Sequence, residues 1–70
     1  MSDVNVWIDQ LQAAEEQIAA THEILSTLQR DLKEAGRKKD TMAIAEVVER
    51  LARYGRMFED MRNSWTEVDD

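Results

Sequence analysis

The sequence contains no cysteine and no proline, and only two of its 70 residues are glycine. The missing cysteine excludes disulfides, which small scaffolds often need, and it fits a reducing compartment. The missing proline and the scarce glycine leave a composition typical of long helices. Because a chain this short buries only about 60% of its unfolded surface, we expect association with another chain to add stability.

Long apolar runs and an excess of basic residues are also missing. No stretch approaches the ~20 apolar residues that span a bilayer, and the N-terminus carries acidic residues where a signal peptide carries basic ones. The net charge of −6 argues against nonspecific binding to nucleic acid or anionic lipid. We therefore expect a cytoplasmic protein that contacts no membrane and has no nonspecific affinity for nucleic acid.

Few residues could support catalysis or hold a metal. His22 is the only histidine, and no second histidine or cysteine stands at metal-ligand spacing. Glu15 and Glu16 are adjacent, so they point to different faces of a helix and do not form a carboxylate pair. No glycine-rich phosphate loop is present. We expect no enzyme activity, no cofactor and no metal, and we interpret His22 as a surface or interface residue.

Apolar residues recur with heptad spacing in both halves of the chain, which is a strong coiled-coil signal. In the first half, position a takes Val4, Leu11, Ile18, Leu25 and Leu32, and position d takes Trp7, Ala14, Thr21, Leu28 and Ala35. In the second half, position a takes Ile44, Leu51, Phe58 and Trp65, and position d takes Val47, Tyr54, Met61 and Val68. Neither half alternates with a period of two, so strands are disfavoured.

The heptad frame breaks between the two halves, around the sequence LKEAGRKKDTMA. Gly36 can adopt the left-handed conformation that ends a helix, and Asp40 or Thr41 can cap the next one. We predict one all-α domain over residues 1–70, an antiparallel two-helix hairpin. Helix 1 covers about 3–35, the turn about 36–40, and helix 2 about 41–67.

The register of the hairpin follows from pairing position a with position d across the seam, which requires facing residue numbers to have a constant sum. A sum of 72 places the midpoint at Gly36 and gives eight layers. They are Val4–Val68, Trp7–Trp65, Leu11–Met61, Ala14–Phe58, Ile18–Tyr54, Thr21–Leu51, Leu25–Val47 and Leu28–Ile44.

The predicted core within the chain consists of apolar a and d residues. They are Trp7, Leu11, Ala14, Ile18, Leu25, Leu28, Leu32, Ile44, Val47, Leu51, Tyr54, Phe58, Met61 and Trp65. Trp7 and Trp65 should meet near the open end as core residues, and the alternative is that they also dock a partner.

A second line of small or apolar residues lies beside the main seam, where small side chains let another backbone approach. These candidates for a dimer or partner interface are Ile8, Ala20, Ile24, Ala45, Val48, Ala52, Gly55 and Met57. The alternative interpretation is that alanine is simply a good helix former and that Gly55 is tolerated at a cost of about 1 kcal/mol.

Charge is distributed unevenly along the hairpin. Residues 1–29 sum to −5, 30–39 to +3, 40–58 to zero and 59–70 to −4. Two hairpins laid antiparallel would therefore place the basic turn of one beside the acidic open end of the other. We predict a homodimer that forms an antiparallel four-helix bundle.

The architecture favours a noncatalytic protein–protein interaction module, such as a small adaptor, assembly factor or co-chaperone. One alternative is an acidic inhibitor that blocks a basic or nucleic-acid-binding site, indicated by Asp9, Glu15, Glu16 and Glu23. Another is an RNA-binding dimer with a Rop-like layout, which is an analogy of architecture alone. Its basic residues would be Arg50, Arg53 and Arg56, but Glu46 and Glu49 are spaced to pair with two of them.

Overall fold

The structure, a computed structural model, describes residues 3–67 and consists of two α-helices joined by a short turn. Helix α1 spans Val4–Glu34 and helix α2 spans Lys38–Glu67. The predicted two-helix hairpin is confirmed, since the helices pack against each other in a rod of 54 × 14 × 12 Å. The Val4–Val68 layer involves a residue outside the described part of the chain.

Helix α1 ends in a Schellman motif centred on Gly36. Gly36 has a φ of +78°, the left-handed conformation that the sequence predicts for it. The Arg37 amide donates to the Leu32 carbonyl at 2.9 Å, and the Gly36 amide donates to the Lys33 carbonyl at 3.1 Å. These two bonds satisfy carbonyls that the end of a helix leaves without partners, and they reverse the chain direction.

Helix α2 begins at Lys38, earlier than the expected start near residue 41. The Arg37 carbonyl accepts the first helical hydrogen bond, from the Thr41 amide at 2.9 Å, and also a bond from the Thr41 hydroxyl at 2.8 Å. Thr41 therefore bonds back to the preceding turn instead of capping the helix. Asp40 lies in the first turn, where its carboxylate interacts favourably with the positive end of the helix dipole. The same carboxylate is 2.7 Å from Nη2 of Arg37.

The register between the helices is visible at two levels of the rod. The rings of Trp7 and Trp65 have centroids 6.3 Å apart and planes inclined at 59°, within the range of favourable aromatic pairs. Their residue numbers sum to 72, so the predicted Trp7–Trp65 layer is present. Near the middle, Gly55 faces Ile18, whose Cγ2 would lie 3.7 Å from an added Cβ. That pair sums to 73, one residue from the predicted register.

The seam between the helices follows heptad positions a and e. The half-buried residues of α1 are Val4, Ile8, Leu11, Ala14, Glu15, Ile18, His22, Leu25, Ser26, Gln29 and Leu32. The half-buried residues of α2 are Asp40, Thr41, Ile44, Ala45, Val48, Leu51, Ala52, Gly55, Phe58, Arg62 and Trp65. Each helix is thus rotated about its axis, so that position e turns inward and position d turns towards solvent.

A single hairpin has no sealed interior. Among residues 3–66, none is fully buried, and the seam residues retain partial contact with solvent. Each helix covers only a narrow strip of the other, so the rest of each apolar face remains exposed to solvent. Neither helix within residues 3–67 carries the apolar length that a bilayer crossing requires.

Candidate interaction surfaces

An ion pair between the helices fixes the rotation of the seam. Arg62 Nε donates to Glu15 Oε2 at 2.7 Å, and Arg62 Nη2 donates to Glu15 Oε1 at 3.1 Å. Both residues occupy position e, and their side chains are 22% and 18% exposed. The two-pronged geometry is the strongest form of an arginine–carboxylate contact. The hydrogen bonds that Arg62 donates to Glu15 raise the pKa of Arg62 above its ordinary value.

The heptad pattern alone does not single out this pair. The available signal was the antiparallel register, because e positions of antiparallel helices approach each other on one side of the seam. Glu15 and Glu16 do separate onto different faces, as their adjacent positions predict. Glu15 is half-buried against Arg62, whereas Glu16 is exposed.

The structure divides the residues assigned to the core into two groups. Those that lie half-buried between the helices are Leu11, Ala14, Ile18, Leu25, Leu32, Ile44, Leu51, Phe58 and Trp65. Those that are exposed are Trp7, Leu28, Val47, Tyr54 and Met61. The exposed group consists entirely of d residues, as the rotation towards position e requires.

The residues assigned to a dimer or partner interface divide in the same way. Five of them are half-buried within the hairpin itself, namely Ile8, Ala45, Val48, Ala52 and Gly55. The other three, Ala20, Ile24 and Met57, are exposed. The small residue Gly55 is therefore approached by Ile18 of its own chain. The exposed apolar surface lies mainly at positions d and g.

We define the apolar flank as the apolar and threonine residues at positions d and g: Trp7, Ala14, Thr21, Ile24, Leu28, Ala43, Val47, Tyr54, Met57 and Met61. The large side chains of this flank are substantially exposed, with values of 49% for Trp7, 67% for Ile24, 40% for Leu28, 41% for Val47, 44% for Tyr54, 48% for Met57 and 40% for Met61. Exposed large apolar side chains gathered on one side of a small protein are typical of an interaction site.

Both helices place the apolar flank on the same side of the hairpin. On the opposite side, residues of both helices line shared grooves, including Ala19 and Ala52 at position b and the e residues Glu15 and Arg62. Positions b and d lie about 160° apart on a helix with 3.6 residues per turn. Because the b residues of both helices share one side, their d residues share the other.

Charged residues avoid the apolar flank. Across residues 4–30 and 41–66, Arg50 is the only charged residue at a d or g position. Its guanidinium is neutralised locally, since Nη2 lies 2.7 Å from Glu46 Oε1. The other charges of these segments lie on the outer faces and the opposite flank, so the two sides of the hairpin differ sharply in polarity.

Acidic residues form a row on the outer face of α1. Asp9, Glu16 and Glu23 occupy successive f positions and are all exposed. Successive members are about 10 Å apart along the helix at 1.5 Å per residue. No lysine or arginine occurs in residues 1–29, so α1 itself offers these carboxylates no basic neighbour until Arg30.

The basic residues of α2 are largely paired with acidic residues one turn away. The predicted Arg50–Glu46 and Arg53–Glu49 pairs both form, with nitrogen–oxygen distances of 2.7 and 3.6 Å. These side chains remain more than half exposed, so the pairs contribute little stability. They do reduce the positive charge that α2 can offer to a phosphate backbone.

His22 lies half-buried in a shallow groove of about 400 Å³ between the helices. The groove is also lined by Glu15, Ile18, Ala19, Leu51, Ala52, Gly55, Arg56 and Glu59. Within residues 3–67, no three of the side chains of His, Cys, Asp and Glu are grouped so that they could hold a metal ion. Comparison with protein-family models, curated proteins and solved structures finds no match for this chain.

Proposed function

We propose that the chain is a noncatalytic protein–protein interaction module, a helical hairpin that self-associates and presents its outer faces to another protein. This is the mode of action of small adaptors, assembly factors and co-chaperones. The observation that supports it is the apolar flank, an exposed and nearly uncharged surface shared by both helices. A helix face of this kind is suited to packing against other helices.

The exposed area of the chain supports self-association. The chain exposes 5533 Å², whereas a compact monomer of 8.1 kDa exposes about 4,500 Å². The excess of about 1,000 Å² is similar to the ~800 Å² that each partner loses in a standard interface. The radius of gyration is 16.0 Å, compared with about 11 Å for a compact domain of this length. Side-by-side packing of two rods would remove this excess.

Sedimentation equilibrium over a range from nanomolar to high micromolar concentrations tests the proposal directly. We expect a reversible transition from monomer to dimer, with helical circular dichroism that strengthens as the dimer forms. A monomer that remains fully helical and cooperatively folded at high micromolar concentration would contradict it, because the hairpin would then need no partner chain.

The acidic row on α1 favours a second candidate function, that of an acidic inhibitor which occupies a basic site on a target. Asp9, Glu16 and Glu23 project from the outer face, away from the apolar flank, so self-association would leave them accessible. Such binding would weaken steeply as salt is raised.

A triple substitution, Asp9→Asn, Glu16→Gln and Glu23→Gln, tests the inhibitor hypothesis against an immobilised basic protein. The inhibitor hypothesis predicts salt-sensitive binding that the triple variant loses while its helicity and dimerisation are unchanged. Equal binding by the two proteins, or no binding at 50 mM salt, would reject it.

A further inference from the structure

The symmetry of the apolar flank indicates how a second copy would occupy it. When two copies of one helix pack antiparallel, residues that face each other across the interface have numbers that add up to the same total. Here the facing residues are a d residue of one copy and a g residue of the other. In α1 the d and g residues pair at a sum of 38, which includes Ala14 with Ile24 and Gln10 with Leu28. In α2 they pair at a sum of 104, which includes Ala43 with Met61, Val47 with Met57 and Arg50 with Tyr54.

The two sets of pairs place the twofold axis at nearly the same level of the rod. A residue on the twofold axis faces the same residue of the second copy, so its number is half of the sum. The axis therefore passes residue 19 of α1 and residue 52 of α2. Within the hairpin, the Trp7–Trp65 layer sets residue 19 level with residue 53, and the Ile18–Gly55 contact sets it level with residue 54, one to two residues from the position that α2 requires. One rotation axis through the middle of the rod therefore matches d to g residues along both helices at once.

The side chains at these positions complement one another. Small Ala14 faces large Ile24, and small Ala43 faces large Met61, so the surfaces can interdigitate. Arg50, a charged residue at position g, faces Tyr54 of the second copy near the axis, and Asp31 faces Trp7 far from it. A guanidinium over a phenol ring is favourable, so this arginine need not oppose the packing.

We propose, building on the self-association in the proposed function, that a second copy of the chain packs on the apolar flank with its turn at the opposite end. Helix α1 then lies against α1 of the second copy, and α2 lies against α2. The interface is made by d and g residues, whereas Ala45, Val48, Ala52 and Gly55 remain in the seam of each hairpin.

Charge selects this orientation over the alternative in which both turns lie at the same end. The turn segment, residues 30–39, carries +3, whereas residues 1–18 and 59–70, on the open-end side of the axis, carry −4 each. Opposite ends place the basic turn of each copy beside the acidic segments of the other. The same-ended arrangement places two +3 turns side by side. Exposed charges contribute little affinity, but they discriminate between two orientations that bury similar area.

Engineered cysteines test the orientation, because the natural chain contains none. The variants Ala14→Cys and Ile24→Cys are refolded together and mildly oxidised, and we expect a disulfide that joins one copy of each. Either variant alone would place its own two thiols about 15 Å apart along the axis, beyond the reach of a disulfide. The matched control is Ile24→Cys with Val47→Cys, two residues that face each other only in the same-ended arrangement, where their sum is 71.

A charge substitution tests the surface independently of cross-linking. Met57→Glu places a carboxylate on the apolar flank, and we expect it to raise the dimer dissociation constant at least ten-fold. Met42→Glu is the matched control, since Met42 is on the same helix and 72% exposed, but at position f on the outer face. We expect its dissociation constant to stay within two-fold of the natural chain.

The possible outcomes separate this inference from the proposed function. Cross-linking of the control pair in preference to Ala14 with Ile24 would overturn the orientation. A natural chain that sediments as a dimer, with no cross-link in either mixture and equal effects of the two glutamate variants, would overturn the surface and leave self-association standing. A natural chain that sediments as a folded monomer would reject the proposed function itself.

Discussion

The two glycines should respond in opposite directions to the same substitution by alanine. Gly55 lies in the middle of α2 with ordinary helical geometry, and a new Cβ there would lie 3.7 Å from Ile18 Cγ2, a normal van der Waals distance. Gly36 has a φ of +78°, and a new Cβ there would meet nothing within 4 Å. The first substitution therefore changes helix propensity, and the second changes only backbone strain.

The magnitudes follow from these local geometries. Alanine is favoured over glycine inside a helix by about 1 kcal/mol, so Gly55→Ala should stabilise the fold by roughly that amount. An L-residue in the left-handed region costs roughly 1–2 kcal/mol, so Gly36→Ala should destabilise it. In a domain of this size, 1 kcal/mol corresponds to a change in Tm of about 4–8 °C.

Thermal unfolding followed by circular dichroism at 222 nm measures both effects. All proteins must be compared at one chain concentration, because the Tm of a self-associating protein depends on concentration. Ala13→Gly is the matched control for propensity alone, since Ala13 is exposed and lies more than two turns inside α1. We expect it to lower Tm by about as much as Gly55→Ala raises it. Gly36→Asn should cost less than Gly36→Ala, because asparagine tolerates the left-handed region better.

A loss of stability in Gly55→Ala would refute the reasoning. It would mean that a backbone from another chain packs against Gly55 too closely to admit a methyl group. The opposite flank would then be an interface, contrary to the assignment of Gly55 to the seam within the hairpin. An unchanged Tm in Gly36→Ala would likewise show that the turn does not need the left-handed conformation.

Three further perturbations probe the seam and the flank. Glu15→Gln and Arg62→Met should each lower Tm. In a double-mutant cycle followed by thermal unfolding, the double variant should lose less unfolding free energy than the two single variants lose together. Phe58→Ala should cost about 2 kcal/mol in urea unfolding, below the range for a fully buried phenylalanine because Phe58 is only half-buried; a loss under 0.5 kcal/mol would place it outside the seam. In Trp65→Phe, the remaining Trp7 should shift its fluorescence to shorter wavelength as concentration rises, whereas a constant spectrum would leave Trp7 outside the interface.

Local rules explain how much of the fold could be predicted. The turn could be located because Gly36 is the one residue near the break in the heptads that adopts a positive φ without strain. The pairing of Trp7 with Trp65 could be predicted by counting residues from Gly36, since the position of the turn determines which residues face each other along the rod. The start of α2 was harder, because Arg37 serves at the helix start through its carbonyl alone and has no capping side chain to reveal it.

The rotation of each helix about its axis could not be predicted in the same way. Heptad periodicity shows that each helix has an apolar side, but that side is wider than one partner helix can cover. Residues at a, d and e could therefore all lie in the seam. Val47 at position d and Val48 at position e, for example, are equally apolar, so hydrophobicity does not show which of them faces the other helix. The Glu15–Arg62 ion pair and the contact between Ile18 and Gly55 decide in favour of position e.

The sequence by itself determined that the chain is helical, where it turns and which residues lie level with one another, because these depend on backbone preferences and on distance along the chain. Only the tertiary structure decided which apolar residues the hairpin covers and which it leaves exposed. That choice depends on contacts between side chains more than 30 residues apart, such as Glu15 with Arg62, and no local pattern records it. The same contacts turn Trp7, Tyr54 and Met61 outward and so create the apolar flank.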